Sequence, residues 1–307
     1  MKKLFIILSL VLIQQAAFGQ FTFQDTKTNQ CTEVKDQERT GTCWSFSTVS
    51  FLESELLRMG KSSLNLSEMY GVRAIYMDKA QNFLFRQGKA NFSQGSLSHD
   101  VIRSYKMVGV VPETAYPGFG EGRTSHNHGA LERELRNYLK GLISKRTVPE
   151  DWRDNVNAIL DKHLGKLPET FDYEGKRYTA ETFTQTLGLN PDDYVTLTSF
   201  THHPFYSKFI LEIPDNYSNG LYYNITLDEL VTVTDYAINE GHTVVWDADV
   251  SEKFFSHKIG VAVAPADTSV WKDIEMASPV EEMDVDQAYR QQEFENFNTT
   301  DDHLMHI

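Results

Sequence analysis

An α+β fold of two lobes is predicted for this chain, a helical lobe first and a β-rich lobe last, from three observations. Between residues 43 and 59, Val49, Leu52, Leu56 and Met59 recur at three- and four-residue steps before Gly60, the pattern of an amphipathic helix with its stop. Residues 243–247 and 259–264 are instead β-rich runs that follow turn glycines or polar loops. At 307 residues with 40% hydrophobic content, the chain has enough apolar material for a sizeable core.

The N-terminus has the pattern of an export signal. Lys2 and Lys3 precede an apolar run at 4–13, and Ala17-Phe18-Gly19 offers small residues for cleavage before Gln20, which sets a leader at 1–19. The run is short for a bilayer span, so a retained anchor is the lesser alternative and a periplasmic or extracellular location is expected. After the helix at 43–59, Ser98 opens a second one with Val101, Ile102, Tyr105 and Val108 on one face, ended by Gly109 and Pro112. Residues 118–129 are glycine-rich and polar and read as a crossing loop. Leu131, Leu135, Tyr138, Leu139 and Leu142 then form a stripe, with Glu132 and Arg136 spaced to pair on its wet side. A further stripe at Val156, Ile159, Leu160 and Leu164 stops at Gly165. Thr226-Leu227-Asp228-Glu229 is a capping box that opens a helix toward Glu240.

Between residues 265 and 292 lies an acidic stretch, with Asp267, Asp273, Glu275, Glu281, Glu282, Asp284 and Asp286. It reads as a solvated loop, because the spacing of a calcium loop is absent. The pair His202-His203 likewise reads as part of a solvated loop. A formal charge of −14 argues against nucleic acid or an anionic membrane surface as a partner. No internal repeat and no phosphate-binding glycine motif appears. Cys31 and Cys43 are the only cysteines, so a disulfide scaffold is excluded; Cys31 reads as an idle or structural thiol.

The chemistry concentrates at Gln37-Glu38-Arg39-Thr40-Gly41-Thr42-Cys43-Trp44-Ser45-Phe46. A thiol at the opening of a helix meets the positive end of the macrodipole and unpaired N–H groups, which favour thiolate. With Thr42 as N-cap, Cys43 is expected to sit exposed in the first turn. Gln37, six residues earlier, is an amide donor suited to an oxyanion hole together with the Cys43 N–H. The competing reading for Cys43 is a buried structural cysteine.

This segment resembles the active-site segment of papain-like cysteine peptidases, and Leu64-Asn65-Leu66-Ser67-Glu68-Met69-Tyr70 is similar to the Leu-Ser-Glu-Gln box of that superfamily. Residues 34–44 more closely resemble the bleomycin hydrolase and aminopeptidase C branch, in which Thr40 also fits better than the cysteine many papains carry there. The match continues at 241–251 and 258–260, and Asp302-His303-Leu304-Met305 resembles the histidine segment, with Leu304 in place of the usual alanine.

The resemblance implies a papain-like two-lobed peptidase without cofactor or metal. Its catalytic residues would be Cys43, His303 and Gln37, with His303 preferred over His306 as the base. It also implies a helical lobe at 20–120, a helical insertion at 121–224 that serves hexamer formation in the branch, and the start of the β-rich lobe at 225–307. Peptides are the implied substrates and aminopeptidase activity the implied specificity. A metal site at His303 and His306 beside Asp301 and Asp302 is the alternative for those residues. The family's third catalytic residue, an Asn followed by Ser-Trp-Gly, has no match here, and its strands are expected beyond Ile307, in a longer product of which this chain is a fragment. A non-catalytic peptide-binding protein with an incomplete site is the rival reading, and acyl transfer to an amine a lesser one.

Overall fold

The computed structural model describes residues 23–267, 269 and 280–307. The expected leader and the acidic positions Asp273 and Glu275 lie outside the described residues. The chain divides into two compact units, residues 1–25 with 251–284 and residues 26–250 with 285–307.

The larger unit is built around α1 (Cys43–Arg58), α2 (Glu68–Phe85) and α3 (Ser98–Val108). Helix α1 ends one residue before the sequence-based boundary, with Met59 as C-cap and Gly60 at φ 78°, a left-handed conformation that suits glycine. Eleven of its sixteen residues are buried, so it is a central helix rather than a surface one. Helices α2 and α3 pack against it, and Met69, Val72, Ile75, Tyr76 and Val101 on them are buried. Ser67 caps α2 by accepting from the Tyr70 N–H, and Gly109, at φ 73°, closes α3 as the sequence anticipates.

Helices α4 (Gly129–Lys145) and α5 (Trp152–Leu164) pack on α2 and on each other, with Leu131, Leu135, Leu139, Val156 and Leu160 all inaccessible to solvent. The Glu132–Arg136 pair forms, but partly buried against Gln94 and the Phe92 carbonyl and not on a wet face. Strands β1 (Phe171–Tyr173) and β2 (Lys176–Tyr178) make a hairpin whose two turn residues, Glu174 and Gly175, both have positive φ. That geometry matches the twist of the flanking strands. Helix α6 (Ala180–Leu187) follows and buries Phe183 and Leu187. Strands β3 (Leu197–Thr198), β4 (Lys208–Ile210) and β5 (Leu221–Asn224) then form a small sheet with β5 central, parallel to β3 and antiparallel to β4. Residues 121–224 thus hold strands as well as the expected helices.

Helix α7 (Leu227–Asn239) opens with the Thr226–Glu229 capping box read from the sequence. Strand β6 (Val245–Ala248) overlaps the β-rich run at 243–247, ending one residue beyond it, and pairs antiparallel with β9 (His303–His306). Between them, α8 (Gln287–Glu295), capped by Asp286, occupies the end of the stretch expected to be loop. Its Gln287 and Gln291 amides bond to Ser199, Leu227 and Thr201, tertiary partners that no local pattern reveals.

In the smaller unit, β7 (Phe255–Ser256) and β8 (Val261–Ala262) pair antiparallel, and Pro265 bridges Glu282. Among the described residues, no helix is long and apolar enough to cross a membrane.

Candidate active site

The loop leading into Cys43 is held by its own backbone polarity and by two glutamines. Gln37 donates its amide to the Thr40 carbonyl at 2.7 Å, and Thr40 Oγ1 returns a bond to the Gln37 carbonyl at 2.8 Å. Gln94 accepts from the Gly41 N–H at 2.9 Å through its side chain and from the Trp44 indole at 3.0 Å through its carbonyl, which locks both sides of Cys43. Thr42 stands at the N-cap, but its hydroxyl pairs with Thr40 at 2.6 Å and does not cap the helix.

Cys43 does open α1, as the sequence anticipates, but it is buried, with only 9% of its surface accessible. The cause is β9. Val244 and Ile307 exchange both backbone hydrogen bonds, and an antiparallel ladder alternates bonded with non-bonded pairs. Asp247 and Leu304 are then a non-bonded pair, so the Leu304 N–H points away from β6. It faces Cys43 instead, and its polarity acts on the thiol.

Burial consequently pushes the Cys43 thiol above its ordinary pKa. The N–H groups of Leu304 and Trp44 pull it down, and the charges of Asp247 and Asp301 push it up. The net direction opposes the helix-dipole expectation, because desolvation outweighs the first-turn N–H groups.

His303 opens β9, half-buried, opposite Ala248 and one residue from the contact with the thiol. His306 does something else. Its Nδ1 lies 2.9 Å from Ser50 Oγ and its ring stands edge-on to Phe51, so it docks β9 onto the flank of α1. Burial lowers its pKa, which keeps it neutral. The two histidines therefore have separate surroundings.

Four acidic residues gather near β9: Asp301 and Asp302, which the sequence places beside the alternative histidine metal site, and Asp247 and Asp215, to which it assigns no role. The Asp247 carboxyl bonds to that of Asp301, with Asp215 and Asp302 nearby. Asp247 keeps solvent contact, yet protein surrounds it closely enough that desolvation, followed by the Asp301 charge, raises its pKa and makes it the proton holder. Desolvation and Asp215 raise Asp301, against the bond from Asp247. The Asp215 carboxylate in turn lies against Gly95, where any Cβ would overlap it. Asp249 accepts from the Thr300 N–H at 2.7 Å and from its hydroxyl at 2.9 Å, which ties down the segment leading into His303.

Residues 20–158 match the family model described as papain family cysteine protease. The crystal structure of PepW from Lactobacillus rhamnosis HN001 superposes with a TM-score of 0.70 at 16% identity, covering 93% of this chain and 72% of that one. The fold is that of the papain-like cysteine peptidases. Within that class, the chain is similar to aminopeptidase G of Lactobacillus delbrueckii subsp. lactis, at 24% identity over 71% of this chain and 59% of that protein. Aminopeptidase E of Lactobacillus helveticus matches with the same identity and coverage. The viral cathepsin of Autographa californica nuclear polyhedrosis virus is 31% identical over 35% of this chain and 30% of its own length. The chain is thus similar to a papain family cysteine protease model over residues 20–158 and to aminopeptidases over 71% of its length. It spans about 59% of the length of the curated aminopeptidases G and E.

Proposed function

We propose that the protein is a cysteine aminopeptidase in which Cys43 is the nucleophile and His303 the acid and base. The observation that carries this reading is the seating of β9 against α1, with the Leu304 N–H turned away from β6 toward Cys43. It puts the histidine one residue from that contact.

In the proposed reaction, His303 takes the thiol proton and the Cys43 sulfur attacks the peptide carbonyl. The developing oxyanion is met by the Cys43 N–H, which in the first helical turn has no intrahelical acceptor, and by the second amide hydrogen of Gln37. His303 then protonates the leaving amine and a thioester remains. Water attacks the thioester, giving its proton back through His303, and the acid product leaves with the thiol restored. Because burial raises the thiol pKa, the ion pair depends on the histidine and not on the helix terminus alone.

Turnover of an aminoacyl fluorogenic amide and of its N-blocked counterpart tests the reading. Hydrolysis of the free-amine substrate alone supports an aminopeptidase, and hydrolysis of both supports an endopeptidase. Failure of an epoxide-type thiol inhibitor to label Cys43, together with no turnover, would return the non-catalytic reading. Export and homo-oligomerisation belong to the same proposal; N-terminal sequencing of the secreted protein and light scattering on the purified chain test them.

A further inference from the structure

Among the described residues, one group of three side chains brings metal-ligating atoms together: His202, His203 and Glu212, whose ligand atoms all lie within 4.8 Å of one another. The His202 Nε2 is 3.1 Å from Glu212 Oε2, and the His203 Nε2 is 2.8 Å from Glu212 Oε1. Both imidazoles thus point their outer nitrogens at one carboxylate. The histidines occupy the turn between β3 and β4, and Glu212 follows β4 closely, so the small sheet fixes both sides of the group.

The rings are positioned before any ligand arrives. Asn224, inaccessible to solvent, donates to the carbonyls of Phe200, His203 and Pro204 and accepts from the Phe200 N–H, which sets the turn. The His203 ring stacks on Phe209 at 4.2 Å, and the His202 ring lies parallel to Phe294 at 5.5 Å. Buried Gln291 steadies the far nitrogen of His202: its Oε1 accepts from the Thr201 N–H at 2.6 Å, and its Nε2 is 3.0 Å from His202 Nδ1. With the amide oriented this way, the His202 proton sits on Nε2, facing Glu212. A cation would replace that proton and move the ring hydrogen to Nδ1, where Gln291 Oε1, 3.4 Å away, can accept it.

We infer that His202, His203 and Glu212 form a site for a divalent transition metal, zinc in the first place, that clamps the β3–β4 turn to the segment after β4. Two imidazole nitrogens and one carboxylate oxygen are a borderline-soft donor set suited to zinc, copper or nickel and less to magnesium or calcium. The side chains remain 25%, 32% and 57% accessible, which leaves water the open coordination position. The inference is independent of the peptidase reading, since none of these residues is assigned to the reaction.

The test is calorimetric titration of the full chain with zinc chloride after chelator treatment. It is performed on a Cys31→Ser, Cys43→Ser background, so that thiols do not compete. One zinc per chain is expected, with affinity falling at least about tenfold in His203→Gln and in Glu212→Gln. Matching circular dichroism of all forms in chelator ensures that any loss is of ligation and not of folding. Cobalt, titrated in parallel, should give a visible absorption band that both substitutions abolish. No zinc uptake by the background chain, or unchanged uptake in both folded variants, overturns the site.

Discussion

Helix α1 and strand β9 supply the two sides of the proposed site, yet they are held by opposite means. Helix α1 is embedded: eleven of its residues are buried, and Glu53, at 1% accessibility, bonds to Thr32, Lys35 and the Leu66 N–H. Strand β9 buries only Leu304; it is fixed by a short ladder to β6, by His306 on Ser50, and by Asp249 on Thr300 just before it. The place of Cys43 is therefore a property of the core, while that of His303 depends on a few polar contacts. Substitutions should damage α1 mainly through folding and β9 mainly through catalytic geometry.

The largest expected effect is at the shared point. Cys43→Ala should lower kcat/KM for an aminoacyl amide by about 1,000-fold or more with the melting temperature nearly unchanged, measured by initial rates and calorimetry. His303→Ala should cost about 100- to 10,000-fold in kcat, whereas His306→Ala should act mainly through stability. Equal kinetic losses in both would erase the distinction between a base and a docking residue.

On the α1 side, Glu53→Ala leaves the buried Leu66 N–H without its acceptor and Lys35 with Glu68 alone, and should destabilise the fold by about 2–3 kcal/mol in urea unfolding. On the β9 side, Ser50→Ala removes one hydrogen bond to His306 and should cost only about 1 kcal/mol. A reversal of that order would show that β9, and not the core, anchors the site.

The smallest effect concerns pH. Asp247 has its folded-state pKa raised by desolvation and by Asp301, so the folded state binds a proton that the unfolded state has already lost. Its stabilising contribution is full below the ordinary carboxylate pKa and fades as pH rises toward the folded value. Solvent contact screens this contribution and keeps it modest. Asp247→Asn should flatten the fall in melting temperature between about pH 5 and 8. An unchanged slope would mean that the pair does not share a proton.

Much of this architecture is legible in the chain because it is local. The apolar steps of α1, the Gly60 and Gly109 stops, the Glu132–Arg136 pair and the Thr226–Glu229 box are all written within one or two helical turns. The spacing of Gln37 and Cys43 likewise survives folding as a single loop. Helix α8 was missed because its stability comes from amides that reach Ser199, Leu227 and Thr201, not from an apolar stripe.

What the sequence alone determined is the helix-opening thiol and the chemical identity of its partners, since residue type and short spacing carry that information. The tertiary structure decided that Cys43 is covered, that His306 is a docking residue, and that Asp247 meets Asp301. Each depends on the pairing of β6 with β9 across more than fifty residues, where loop closure separates the partners and no local periodicity records the register.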